Sequence, residues 1–178
     1  MKKYEHMVGE PIEFKRDSIP DAVFDMVNLE RAEFSEVDLS AAVFDKANME
    51  CVVFNNVDLN SVAFDNVYLD NSTINDASFA NAVVDNVNME RTKFSNLNMS
   101  RASYKGINLT ETTYSGVCFD NAEISGSDMI GAKLDTVIMK NTVFNECDLS
   151  GAELNDCIID GLKINGYDIS ELIKNQGK

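Results

Sequence analysis

Residues 21–60 read DAVFD MVNLE RAEFS EVDLS AAVFD KANME CVVFN NVDLN when broken into fives. The fourth place of each five is large and apolar: Phe24, Leu29, Phe34, Leu39, Phe44, Met49, Phe54 and Leu59. The second place is smaller: Ala22, Val27, Ala32, Val37, Ala42, Ala47, Val52 and Val57. A period of five is neither the 3.6 of a helix nor the 2.0 of a strand, so the chain reads as a repeat architecture. The large position continues without insertion through Phe64, Leu69 and Ile74 to Phe144, Leu149, Leu154, Ile159, Ile164 and Ile169.

Within a unit the two apolar residues are two apart, so an extended segment turns both to one face and its flanking residues to solvent. Three residues then separate the large residue from the next small one, enough for a tight turn. Asn or Gly often sits there, as at Asn56, Asn66, Asn71, Asn86, Gly106, Gly116 and Gly131, where corner backbone conformations are tolerated. The expected result is an all-β solenoid with short strand-like sides and an axis filled by apolar side chains.

The number of sides follows from the residue after the large one. Asp25, Asp45, Asp65 and Asp85 form one series, and Glu30, Glu50, Asp70 and Glu90 another, each repeating every 20 residues. Four units therefore make one turn; a triangular coil of 15 would scatter these acids over all sides. The same count sorts the interior into a ladder of Phe24, Phe44 and Phe64, an opposite one of Phe34 and Phe54, and two sides of mostly Leu and Met.

This motif resembles the pentapeptide repeat family, whose unit is typically Ala-(Asp/Asn)-Leu-x-x. It is seen in Val27-Asn28-Leu29, Val37-Asp38-Leu39, Val57-Asp58-Leu59 and Cys147-Asp148-Leu149. The resemblance covers about residues 21–169 and implies a right-handed quadrilateral β-helix of about eight 20-residue coils. Residues 1–20 are expected to form an N-terminal cap and irregular first coil, because Pro20 and Asp17 interrupt the pattern. Tyr4, Met7 and Ile12 are candidate covers there. Residues 21–170 form the solenoid and 171–178 a short cap or tail. Ser170–Lys174 is expected to make a helical turn that lays Leu172 and Ile173 over the last coil or into a dimer, since some family members dimerise through C-terminal segments.

The 178 residues carry 30 acidic and 15 basic side chains, a net charge of −15. That disfavours direct binding to nucleic acid or an anionic membrane, which need basic surfaces. No apolar stretch has the length of a membrane span, and no signal-peptide core follows Lys2 and Lys3, so a cytoplasmic protein is expected. Residues 1–90 hold 18 acids and 6 bases, against 12 and 9 in residues 91–178. Two acid ladders at strand spacing give roughly one negative charge per 2.4 Å of axis, of the order of duplex DNA. Some family members are acidic rods that occupy the DNA-binding saddle of type II topoisomerases and protect against quinolones. By resemblance the 25–90 stripe is a candidate DNA-mimicking surface, although the loop insertions of several resistance proteins are absent. Duplication of a 20-residue unit also copies acids onto one side without any selected role.

A second candidate surface lies beside the Asp ladder. Val23, Val43, Ala63 and Val83 occupy the outward place before the large residue, with Val53 on the opposite side. Stacked apolar residues next to acids suit a protein partner or a second copy, although β-branched residues also simply suit an extended segment. Catalysis is not expected. The single histidine, His6, lies outside the repeat, no triad, P-loop or nucleophile motif can be assembled, and the carboxylates are not differentiated as acid and base. Cys51, Cys118, Cys147 and Cys157 lack metal-ligand spacing, and the acid ladders lack carbonyl-rich loops, so neither metal nor cofactor is expected. The expectation is a non-enzymatic protein that offers a rigid acidic surface to a protein partner.

Overall fold

A computed structural model describes residues 3–5 and 12–176. His6 and Met7 lie outside them. The chain winds into a quadrilateral β-solenoid of about eight turns. Each turn contributes a three-residue strand to each of two parallel sheets, and these alternate around the coil with two narrower sides. Among the described residues the first sheet has 10 strands and includes Val23–Asp25, Val43–Asp45, Ala63–Asp65 and Val83–Asp85. The second has 8 and includes Glu33–Ser35, Val53–Asn55 and Thr73–Asn75. Between them run single-residue parallel bridges, Asn28 to Asn48 to Tyr68 to Asn88 on one side and Asp38 to Asp58 to Ser78 on the other. The Lys3–Glu5 strand pairs in register with Val23–Asp25, and Glu13–Lys15 with Glu33–Ser35, so the coil register reaches back before residue 20.

The five-residue period arises at the corners. Every fifth residue from Arg16 to Gly166 has a positive φ, from 50° at Met26 to 69° at Gly161 within the regular coils. At alternate corners the N–H of the small residue bonds back to the large one, as Ala32 N–H to the Leu29 carbonyl (2.9 Å) and Ala42 to Leu39 (3.0 Å). With Arg31 at φ 59° and Ala41 at 56°, these are type II turns. Corner side chains point out and the coil hydrogen bonds run between turns, for instance Arg31 N–H to the Glu50 carbonyl (2.9 Å). That coil-to-coil pairing holds arginine, alanine and threonine in a backbone region that favours Gly and Asn.

Inside, the rings form two columns. Phe14, Phe34 and Phe54 stack at 4.6 and 4.8 Å, and Phe24, Phe44 and Phe64 at 4.5 and 4.9 Å. The columns meet edge to face, Phe24 to Phe34 at 86° and Phe34 to Phe44 at 87°. Both are arrangements that the ring quadrupole favours, each worth about 0.5–1.5 kcal/mol beyond burial. The small inward position also holds buried polar residues, each with a partner. Thr92 donates to the Leu69 carbonyl (2.6 Å), Thr142 to that of Phe119 (2.8 Å) and Ser72 to that of Met49 (3.2 Å), so the hydroxyl ties one coil to the one before. Cys147 and Cys157 fill the same position, and burial raises both thiols above their ordinary pKa.

The C-terminal end is closed on one side only. Lys163–Ile164 pairs antiparallel with Tyr167–Asp168 around Asn165 (φ 48°) and Gly166 (φ 83°), a type I′ hairpin that blocks the edge of the first sheet. A helix, Ile169–Gln176, follows. Asp168 caps it, accepting the Glu171 N–H (3.1 Å) and the Ser170 hydroxyl (2.7 Å), which holds its carboxyl below the usual range. Ile169 is the helical residue that packs against the core, while Leu172 and Ile173 stay exposed. The second sheet ends at Glu153–Asn155 with Leu154 also exposed.

Candidate interaction surface

The outer face of the first sheet is built from two columns. Asp25 opposes Asp45, Asp45 opposes Asp65 and Asp65 opposes Asp85 in strict parallel register; Val23, Val43, Ala63 and Val83 make the column beside them. The inward Phe24, Phe44, Phe64 and Val84 anchor each strand between the two, fully buried, so the outward residues sit on a packed base. Val83 is 55% exposed and Val43 36%, whereas Val23 and Ala63 are half-buried. Glu5 takes the register position opposite Asp25, one coil beyond the series read from the repeat, and Lys105 ends the column after Asp85.

Carboxylates at strand spacing, about 4.8 Å, repel by roughly 1 kcal/mol per pair even in water. Lys46 offsets part of this. Its ammonium donates to Asp45 Oδ2 at 2.7 Å, and Asp45, with Asp25 and Asp65 further off, raises the lysine above its ordinary pKa. The other oxygen, Asp45 Oδ1, is shielded from solvent and accepts no hydrogen bond.

Glu30, Glu50 and Glu90 occupy the second place of the type II turns at the far end of the adjoining bridge side, and Asp70 takes the equivalent place in its coil. Here the Asp/Asn of the repeat has a direct physical use. Asn28 Oδ1 accepts the Glu30 N–H (3.1 Å), Asn48 that of Glu50 (3.2 Å), and Asn108 that of Thr110 (3.0 Å), a turn in which the side chain stands in for backbone. Asp38 does the same for Ser40 (3.0 Å) and also accepts its hydroxyl (2.7 Å), which lowers the Asp38 carboxyl pKa. The column Asn28, Asn48, Asn88, Asn108 is broken at one coil, where Tyr68 stands 59% exposed. This residue is visible only when the chain is read down the 20-residue column rather than along the five.

Asp70 differs from its neighbours. It accepts the Glu90 N–H (3.1 Å) and the Asn88 amide (2.9 Å), yet burial raises its pKa, with Glu90 and Glu50 adding to the rise. Glu30 pairs with Arg31 at 3.6 Å and Glu90 with Arg91, but Glu50, Asp65 and Asp70 form no ion pair with another described residue. No Lys or Arg occurs between Lys46 and Arg91. The structure thus brings the two acid series and the Val column onto adjoining sides of the first half. Leu172 and Ile173 are far away at the C-terminal end. Among the described residues no group of three or more His, Cys, Asp or Glu could hold a metal ion, and no helix is long and apolar enough to cross a membrane.

Coil length, four-sided section and capped turns define a pentapeptide β-solenoid. A model of pentapeptide repeats matches in 8 copies, over residues 22–60, 38–76, 74–103 and 125–161, and the chain belongs to the pentapeptide repeat family. Among solved structures, it is similar to full-length QnrB1, a plasmid-mediated fluoroquinolone resistance protein, at 18% identity over 99% of this chain and 100% of that one, with a TM-score of 0.41. It is also similar to HetL, a pentapeptide repeat protein involved in heterocyst differentiation regulation from the cyanobacterium Nostoc sp. strain PCC 7120. There the identity is 16% over 89% of this chain and 94% of that one, with a TM-score of 0.38. No curated protein matches.

Proposed function

We propose that the protein is a non-enzymatic interaction module whose first-half acidic surface docks a basic protein partner. The observation that carries this reading is the column Asp25, Asp45, Asp65 and Asp85, in register on a sheet face with a packed base and with a partly exposed apolar column beside it. Such a face needs no ordering on binding, so little conformational entropy is lost. The closing test is capture of partners from native lysate by wild type and by a variant carrying Asp45→Asn, Glu50→Gln, Asp65→Asn and Asp70→Asn. The expected result is a salt-sensitive partner retained by wild type alone; identical captured sets would sink the reading.

A narrower form of this reading is a DNA mimic that enters the DNA-binding site of a type II topoisomerase. What supports it is the linear charge density, roughly one carboxylate per 2.4 Å over two columns. Supercoiling assays with purified gyrase measure it directly: inhibition by wild type and none by the four-fold variant is expected, and no effect of wild type at micromolar concentration removes it. The exposed Leu154, Leu172 and Ile173 at the open end support a separate role in self-assembly. Sedimentation of wild type against Leu154→Lys with Ile173→Lys decides that point; two monomers would end it.

A further inference from the structure

The acidic face repeats coil after coil, and Tyr68 is where it stops repeating. At equivalent places Asn28, Asn48 and Asn108 cap a backbone N–H of their own turn, which a tyrosine cannot do. The Tyr68 side chain makes no hydrogen bond, ion pair or ring contact with another described residue. It is 59% exposed on a backbone bonded to the preceding coil, its N–H donating to the Ala47 carbonyl (3.1 Å) and its carbonyl accepting from Met49 (2.7 Å). Within its own column this is the coil where the cap is given up for an exposed ring, and local exceptions of this kind concentrate at functional sites.

Its surroundings specify what that is. In the same coil Asp65 lies three residues before and Asp70 two after, on either side of the corner at Asn66 (φ 54°). Tyr68 therefore sits on the bridge side that runs between the two carboxylate columns. Neither acid has an ion-pair partner among the described residues, and the nearest basic residues in sequence are Lys46 and Arg91. Lys46 acts on Asp65, and Arg91 on Asp70, only from beyond ion-pair distance, so both carboxylates stay open to a cationic group of a partner. We infer that Tyr68 anchors an arginine of a basic protein segment, its guanidinium lying on the ring face while its N–H groups reach the flanking carboxylates. Arginine suits this place better than lysine because its planar, weakly hydrated head stacks on a ring and donates sideways at the same time. The inference rests on the docking surface proposed above and names the chemistry that surface selects.

Deca-arginine and deca-lysine peptides, titrated calorimetrically into the full chain at low salt, provide the test. Wild type is expected to prefer deca-arginine. Tyr68→Ala should weaken deca-arginine by about two- to fivefold and leave deca-lysine nearly unchanged, and Tyr68→Phe should behave as wild type. Tyr68→Asn, which restores the column, should raise Tm by about 2–4 °C yet bind deca-arginine as poorly as the alanine variant. Asp65→Asn with Asp70→Asn should weaken both peptides alike. If the carboxylate variant loses binding while Tyr68→Ala keeps wild-type affinity and preference, the anchor is wrong and the docking surface stands. If the carboxylate variant binds both peptides as wild type does, the surface and the anchor fall together.

Discussion

Thr136 sits at φ 56°, a β-branched residue in the left-handed region, and it is exposed, so only backbone pairing keeps it there. Replacing it with glycine removes the strain at some cost in unfolded-chain entropy. The expected net gain from Thr136→Gly is about 1 kcal/mol, read as a higher midpoint in denaturant; a loss would show that the corner is not strained. Tyr104 offers a second test. Its hydroxyl is buried among Phe119 and its neighbours without a hydrogen-bond partner, and burial drives its pKa far up. Tyr104→Phe removes an unmet donor from an otherwise apolar column, and a stabilisation of about 1 kcal/mol is expected in the same measurement. These two positions also mark what single residues reveal in sequence. Asn66 or Gly116 at a corner reads correctly from propensity, whereas Arg31, Ala41 and Thr136 adopt the same backbone against theirs, because hydrogen bonds to the coils on either side override it.

The turn that carries Asp70 is an element whose stability depends on pH. Burial and the nearby Glu90 and Glu50 raise this carboxyl, so its ionised form is disfavoured in the folded state. A raised folded pKa gives stability that is fully present below the unfolded value, near 3.8, and lost as pH rises through the folded one. Asp70→Asn is therefore expected to raise Tm at pH 7, with the gain shrinking to nothing as pH falls towards 4; an equal gain at both ends would exclude a titrating cause. Asp38 has the opposite sign. Its lowered pKa supplies stability above the unfolded value that is lost as pH falls through the folded one. The coil geometry behind both residues was legible from the period of five and its closure at 20, since inward and outward positions follow from those alone. The C-terminal helix was not fully legible. A turn near Ser170–Lys174 with Leu172 and Ile173 inward fits the sequence, but Asp168 starts the helix earlier; Ile169 keeps the inward place that the period of five gives it, and Leu172 and Ile173 stay exposed. Capping decided the rotation, and the choice of cap depends on the hairpin at Asn165 and Gly166 that precedes it.

For the whole molecule, charge is the dominant uneven quantity, with 18 acids against 6 bases in residues 1–90. Raising NaCl from about 20 to 500 mM shortens the screening length from beyond 10 Å to below the spacing of two coils. Thermal stability is expected to rise with salt, and Lys46→Gln to lower Tm most at the low end; salt-independent melting would mean that the columns do not repel. The same regularity has a bearing on recognition. A surface that repeats every coil has no origin: a partner bound to Asp25 and Asp45 finds nearly the same contacts after sliding to Asp45 and Asp65, or on to Asp85. Such a surface works as a scale with identical graduations, and any partner on it is spread over several equivalent settings. Tyr68, the odd member of its column, is the zero mark on that scale. It converts a track along which a charged ligand drifts into a site with one address, and it does so at the coil where the fold gives up an asparagine cap.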